Sequence, residues 1–407
     1  MKIIGLDVGR GSAVLCCLSS FPTNILQHYR QLRRSKQFYK VKCDRAGAEK
    51  LRSLQPDGIV LEPSGHWYAQ FWVTLAKHDG IAVYWVSHTD LYCARGEYGF
   101  KNKRDTEDAL SLAATYFDPS FVNIRGDKRY LNYYQNELVT NLRELFLAKE
   151  QLQKLRTNLV TQLRQRLSYE LPEIATVKMT ISDVRGYTPL IYWLATDTPN
   201  ARYDKKHQLS IARDLNIKVS QYTRNHAGLI HNIEQRYFNH LELLQDAVTN
   251  SNFDAYNRVF DRFNFGLSCR SLLLFNIYPF DKFLIDGKPK IEREYGNSDR
   301  MQKRDRSLRK FQAFLGMSYS YSDSGKKSVK KFHGSSMIRS HLYAWAVCCV
   351  APRDVRIYSS IGRQLSDRYF ELRQTVKGKD ALIRILFKAT RLLYYELVKE
   401  LTLTAKN

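Results

Sequence analysis

KIIGLDVGRGSAVLCCLSS, residues 2–20, decides how the first part of this chain folds. KIIGLDVG and SAVLCCLSS are apolar runs joined by a Gly-rich turn, so they read as two strands of a hairpin. Inside the first strand an acid, Asp7, stands among Ile3, Ile4, Leu6 and Val8. A charge in such a strand is costly unless it is paired or bound to a metal. Outward from this hairpin, YKVKCD reads as a third strand, AGAEKLRSL as a helix and DGIVLEP as a fourth strand. HWYAQFWVTLAKH then reads as a helix, IAVYWVS as a strand and RDTEDALSLAATYF as a helix. A β-hairpin followed by β-α-β units is a ribonuclease-H-like order.

Three further acids join Asp7. Glu62 ends the fourth apolar strand, and Asp105 and Asp108, three apart in NKRDTEDA, share one face of a helix. Carboxylates converging without cations repel and raise one another's pKa, whereas two Mg²⁺ ions, with Mn²⁺ as a substitute, would neutralise them and bridge a phosphodiester. Singly, each acid has another reading: Asp7 could hold a turn, Glu62 could pair with a lysine, and Asp105 could cap its helix.

The chain has 407 residues, 44% of them hydrophobic, enough for two or three domains with real cores. Its 64 Lys and Arg against 40 acidic residues give a net charge of +24, spread along the chain, which points to a polyanion, nucleic acid first, met by several surfaces. Asp7 interrupts the first apolar run, and AWAVCCVA is far below a membrane span, so a cytoplasmic protein with no membrane partner is expected. Seven cysteines without a CxxC indicate neither a zinc ribbon nor a disulfide framework.

From about 130 to 170, Leu138, Leu142, Leu145, Leu152, Leu155, Leu159 and Leu163 recur at three-, four- and seven-residue steps, the pattern of a long amphipathic helix or coiled coil. Pro172 and an irregular segment over 173–205 break it, and a helical pattern resumes over 207–248. The expected architecture is a 1–125 metal-binding α/β domain, a 126–250 helical coiled-coil arm and a mainly α-helical 251–407 domain. An ordinary helical domain explains the middle periodicity equally well. The stretch 286–310 carries nine Lys or Arg against five acids and reads as an exposed loop that contacts nucleic acid, and SYSYSDSGKKS reads as a turn.

LDVG, LEPSGHWY and KNKRDTEDA resemble the transposases of insertion-sequence family 110, the Piv/MooV-type recombinases with a RuvC-like DEDD domain. FQAFLGMSYSYSDSGKKS followed by HGSSMIRSHLYAWA is similar to that family's second domain, and RYFELRQTVKGKDALIRILFKATRLLYYELVK resembles its closing helices. Ser335 stands where the family usually has Asn. The resemblance implies that Asp7, Glu62, Asp105 and Asp108 are metal ligands, and that Ser324 forms a covalent link to DNA, resolved later by a strand hydroxyl. It also implies a structured guide or bridge RNA, a homo-oligomer, dimer or tetramer, and a bacterial setting. Lys103, Arg104, Lys326, Lys327, Lys330, Lys331 and Arg339 are candidate nucleic-acid contacts. Other classes remain open: a RuvC-like resolvase using water, an actin-like ATPase whose phosphate loop GLDVGRGS would match, and a catalytically dead nucleic-acid binder. The ATPase would also need a second Gly-rich phosphate strand, which is not found.

Overall fold

The computed structural model describes residues 1–63, 66–122, 126–130, 136–182, 184–295, 301–324, 327–352 and 359–404. The chain divides into two compact units, Met1–Asn136 and Glu137–Asn407.

The first unit is built on a five-stranded sheet of β1 (Ile3–Gly9), β2 (Ser12–Leu18), β3 (Tyr39–Lys42), β4 (Gly58–Leu61) and β5 (Ala82–Trp85), in the order β3-β2-β1-β4-β5. β1, β2 and β3 run antiparallel, while β4 and β5 run parallel to β1. This is the ribonuclease-H-like arrangement that the strand order of the sequence predicts. Gly11 carries the hairpin turn at φ +68.

Alternation along β1 sorts its side chains between two cores. Ile4, Leu6 and Val8 pack with Trp72, Val73 and Ala76 of α3 (His66–His78) and with Leu51 of α2 (Arg45–Ser53). Ile3 packs on the other face with Ala109, Leu110, Leu112 and Ala113 of α5 (Asp105–Phe117), alongside Leu32 of α1 (Ile25–Arg34) and Leu91 of α4 (His88–Glu97). Gly5 and Asp7 share the Ile3 face because side chains alternate. A Cβ on Gly5 would lie 1.9 Å from the Ala109 carbonyl oxygen and 2.4 Å from the Ala113 nitrogen. Only glycine lets the α5 backbone come this close to β1.

In the second unit the leucine-rich stretch forms α6 (Glu137–Glu170), a helix of 34 residues and about 51 Å. Four shorter helices follow: α7 (Pro172–Ala175), α8 (Pro189–Thr196), α9 (Ala201–Gln208) and α10 (Ile211–Asp214). The chain then returns through α11 (Gln221–Val248). The segment read as irregular over 173–205 is therefore partly helical: Pro189 sits at the first turn of α8, where its missing N–H costs nothing, and Asn200 caps α9. α6 and α11 are antiparallel, as Arg156 meets Glu234 and Arg166 meets Thr223. They do not form an isolated pair. Leu163 and Leu167 of α6, Leu190, Ile191 and Leu194 of α8, and Ala227 and Ile230 of α11 share one core. Beside it, the fully buried Glu234 accepts bonds from Arg156 Nε at 2.8 Å, Thr188 N at 2.8 Å and Thr188 Oγ1 at 2.7 Å.

The other end of α6 packs into the rest of this unit. Phe146 lies 5.4 Å from Phe275 of α13 (Leu267–Ile277), and the buried Lys149 reaches Ser268 at 2.8 Å. α12 (Asp254–Arg262) precedes α13 and is tied through Arg258 and Arg262 to Glu400 of α17 (Gly378–Thr404). The 286–310 stretch is not a loop. It forms an antiparallel hairpin of β6 (Ile291–Tyr295) and β7 (Met301–Asp305) and leads into α14 (Arg306–Phe314). Nor is SYSYSDSGKKS a simple turn: β8 (Ser318–Ser324) pairs with β9 (Lys327–His333). α15 (Ser336–Trp345) and α16 (Ser360–Arg373) complete the unit. No described helix is long and apolar enough to cross a membrane.

Candidate functional site

Parallel pairing of β1 and β4 aligns Leu6 with Leu61, so Asp7 and Glu62 are the next residues along neighbouring strands. Ligand sites of open α/β sheets form beyond such carboxyl ends. α5 packs across β1 over Gly5 and brings its first turn, with Asp105 and Asp108, to the same end. A helix N-terminus favours negative charge. Asp105 is not the cap of this helix; Arg104 is, without a side-chain cap bond.

Electrostatics show that the four carboxylates are neighbours. Burial, then the charges of Asp108, Asp105 and Glu62, push the Asp7 carboxyl up to about 7, while Lys103 opposes them. Asp108 is also raised, by burial first, against the pull of Arg95 and Lys103. Among the described residues Asp7 has no hydrogen-bond or ion-pair partner. The structure thus brings together all four acids and Lys103. The set is made of hard oxygen donors, which suit Mg²⁺ and Mn²⁺. It is not drawn into a closed cage: among the described residues, no three His, Cys, Asp or Glu side chains are gathered closely enough to hold one ion.

Two basic side chains at the cluster escaped the sequence reading. Arg95 donates to Asp108 Oδ1 at 2.8 Å, and His88 Nδ1 lies 2.9 Å from Glu62 Oε2. His88 is thus one neighbour of the Glu62 carboxylate. His88 and Arg95 both come from α4, which Ser87 caps through the Asp90 amide. The signal in the sequence is SHTD directly after the strand IAVYWVS, which starts a helix at the same sheet end.

Of the basic candidates in this unit, Lys103 and Arg104 are both exposed, and Arg104 Nε is 3.9 Å from Glu107. In the second unit, Ser324 is the last residue of β8, in register with Lys327. Lys326 lies outside the described residues, as do the side chains of Ser324, Lys327 and Lys330. Lys331 is exposed on β9, opposite Ser320. Arg339 of α15 is half-buried; it donates to the Gly316 carbonyl at 3.0 Å and lies over the Phe332 ring at 4.6 Å, bracing the base of the β8–β9 hairpin. Gly316 and Gly334 let the chains cross there, at φ +78 and +91.

Among protein-family models, one described as Transposase, that of the DEDD transposases of insertion-sequence family 110, matches residues 4–172. The match covers the four carboxylates and the whole of α6, and stops short of Ser324. A search of curated proteins finds no match.

Proposed function

We propose that this chain, whose residues 4–172 match the DEDD transposases of insertion-sequence family 110, is an RNA-guided DNA recombinase which cuts and rejoins strands through a covalent seryl–DNA link. The observation that carries this reading is the convergence of Asp7, Glu62, Asp105 and Asp108 at one sheet end, where burial and then the charges of the other three acids push the Asp7 carboxyl up to about 7 against the pull of Lys103. These four residues would hold two Mg²⁺ ions, or Mn²⁺, which when bound stabilise charge on the attacked phosphate and ease ionisation of the attacking hydroxyl. Arg95 and His88 orient Asp108 and Glu62.

Ser324 belongs to the second unit and supplies the nucleophile. Its Oγ attacks phosphorus and gives up its proton; the phosphorus bond to one strand oxygen breaks, and that oxygen leaves as a protonated hydroxyl. A hydroxyl of the partner strand then attacks the same phosphorus and releases the serine. One phosphodiester is exchanged for another at each step, so rejoining needs no ATP. Pairing with the guide RNA reads sequence, while basic surfaces such as Lys103, Arg104, Lys326, Lys327, Lys330, Lys331 and Arg339 hold backbone. The working form is a homo-oligomer.

Incubating the purified complex with element-end DNA and Mg²⁺ is expected to give a protein–DNA adduct that survives denaturation and is absent from Ser324→Ala. An adduct persisting in that variant would remove the serine from its role. Cleavage without any adduct would instead favour a resolvase that uses water at the same carboxylates.

A further inference from the structure

Tyr92 stands between two residues that each touch a carboxylate of the cluster. His88, Tyr92 and Arg95 of α4 are spaced four and three apart, so they share one helical face. His88 lies 2.9 Å from Glu62 and Arg95 2.8 Å from Asp108, so this face runs along the acidic cluster. Tyr92 nevertheless remains 69% exposed, with the Arg95 guanidinium carbon 5.7 Å from its ring centroid. A second ring, Trp67, is 71% exposed in the first turn of α3, five residues after Glu62. That tether limits its Cα to about 18 Å from the Cα of Glu62.

An exposed Tyr beside an Arg is ordinary on a protein surface. One large exposed ring between two partners of the cluster, a second tethered within about 18 Å of Glu62, and the exposed cations Lys103 and Arg104 beside the same acids are a different matter. Rings of this kind offer stacking surfaces to bases of any sequence, and the cations suit the phosphates between those bases. A base can stack on a side chain only once it has left the duplex. We infer that Tyr92 and Trp67 form an aromatic rim that stacks unpaired nucleotides of the DNA strand whose phosphate lies at the carboxylates. The identity of the polymer rests on the reading above, but the rim requires neither Ser324, nor metal, nor guide RNA.

The other four tryptophans, Trp72, Trp85, Trp193 and Trp345, are at most 7% exposed, so the exposed Trp67 reports on stacking in the intact chain. Titrating the full-length, metal-free protein with oligodeoxythymidine of about 16 nucleotides is expected to quench its fluorescence, and duplex DNA to quench far less. Trp67→Phe should lose the signal while anisotropy shows near-normal binding. Tyr92→Ala should bind about tenfold or more weakly, Tyr92→Leu no better, and Tyr92→Phe like the parent. Absent quenching, equal quenching by duplex, or unchanged binding by Tyr92→Ala and Tyr92→Leu would each overturn the inference. Tighter binding of oligouridine would make RNA the occupant and overturn the assignment to DNA. Failure of the seryl mechanism would appear in the adduct assay and leave the quenching untouched.

Discussion

Asp7 occupies the same face of β1 as Ile3 and Gly5, under α5, where an ionised carboxylate has few ways to be neutralised. Its carboxyl, pushed up to about 7, ties stability to pH in the metal-free protein. Below the ordinary aspartate range Asp7 is protonated whether the chain is folded or not. As pH rises from about 4 to about 7, the unfolded chain loses this proton first, so the folded state binds more protons and its stability falls through the window. The loss is complete above about 7, with an upper bound of roughly 4 kcal/mol, less whatever solvent screening removes. Asp7→Asn cannot ionise, so its melting temperature should vary less between pH 5 and pH 8 and exceed that of the parent at pH 8. Mg²⁺ should raise the parent's melting temperature at pH 8 and scarcely alter the variant's, because metal binding needs the deprotonated carboxylate. Thermal melts in chelator and in Mg²⁺ decide this, and an equal pH slope for the two proteins would remove Asp7 as its source.

At the scale of elements, the cluster depends on how closely α5 lies on β1. Gly5→Ala would put a methyl group 1.9 Å from the Ala109 carbonyl oxygen, forcing α5 away from the strand. A destabilisation of about 3 kcal/mol is expected, together with loss of DNA cleavage, because α5 carries Asp105 and Asp108. Urea unfolding followed by far-UV circular dichroism measures the first effect. A Gly5→Ala protein of parental stability would show that the close contact is not required. The five strands and α2, α3 and α5 of the first unit were legible because the strands lie between two apolar cores and these helices show apolar faces, whereas α1 and α4 went unread. The hairpins β6–β7 and β8–β9 were not, since their ladders satisfy the backbone while polar side chains line the strands. α8 and α9 were hidden by Pro189 and Pro199, which read as helix breakers yet stand at or just before helix starts.

Across the whole molecule, Asp7 and Glu62 could be picked out because an acid in or just after an apolar strand is conspicuous in one dimension, and Asp105 and Asp108 because their spacing puts them on one helical face. His88 and Arg95 could not, because their roles exist only once α4 is laid beside β4 and α5. Charge is the property that spans both units, and it makes the last prediction. With a net charge of +24 and no single basic tail, non-specific duplex binding should lose about a thousandfold or more between about 50 and 200 mM salt, as for six or more neutralised phosphates. Lys103 and Arg104 are two exposed charges of this set at the mouth of the carboxylate site. Replacing both with Ala should flatten the plot of log affinity against log salt by about 2 and weaken unrelated duplexes equally, since phosphate contacts carry no sequence information. Fluorescence anisotropy over a salt series gives the slope directly. An unchanged slope would show that neither side chain meets a phosphate, and a loss confined to one sequence would make them base contacts instead.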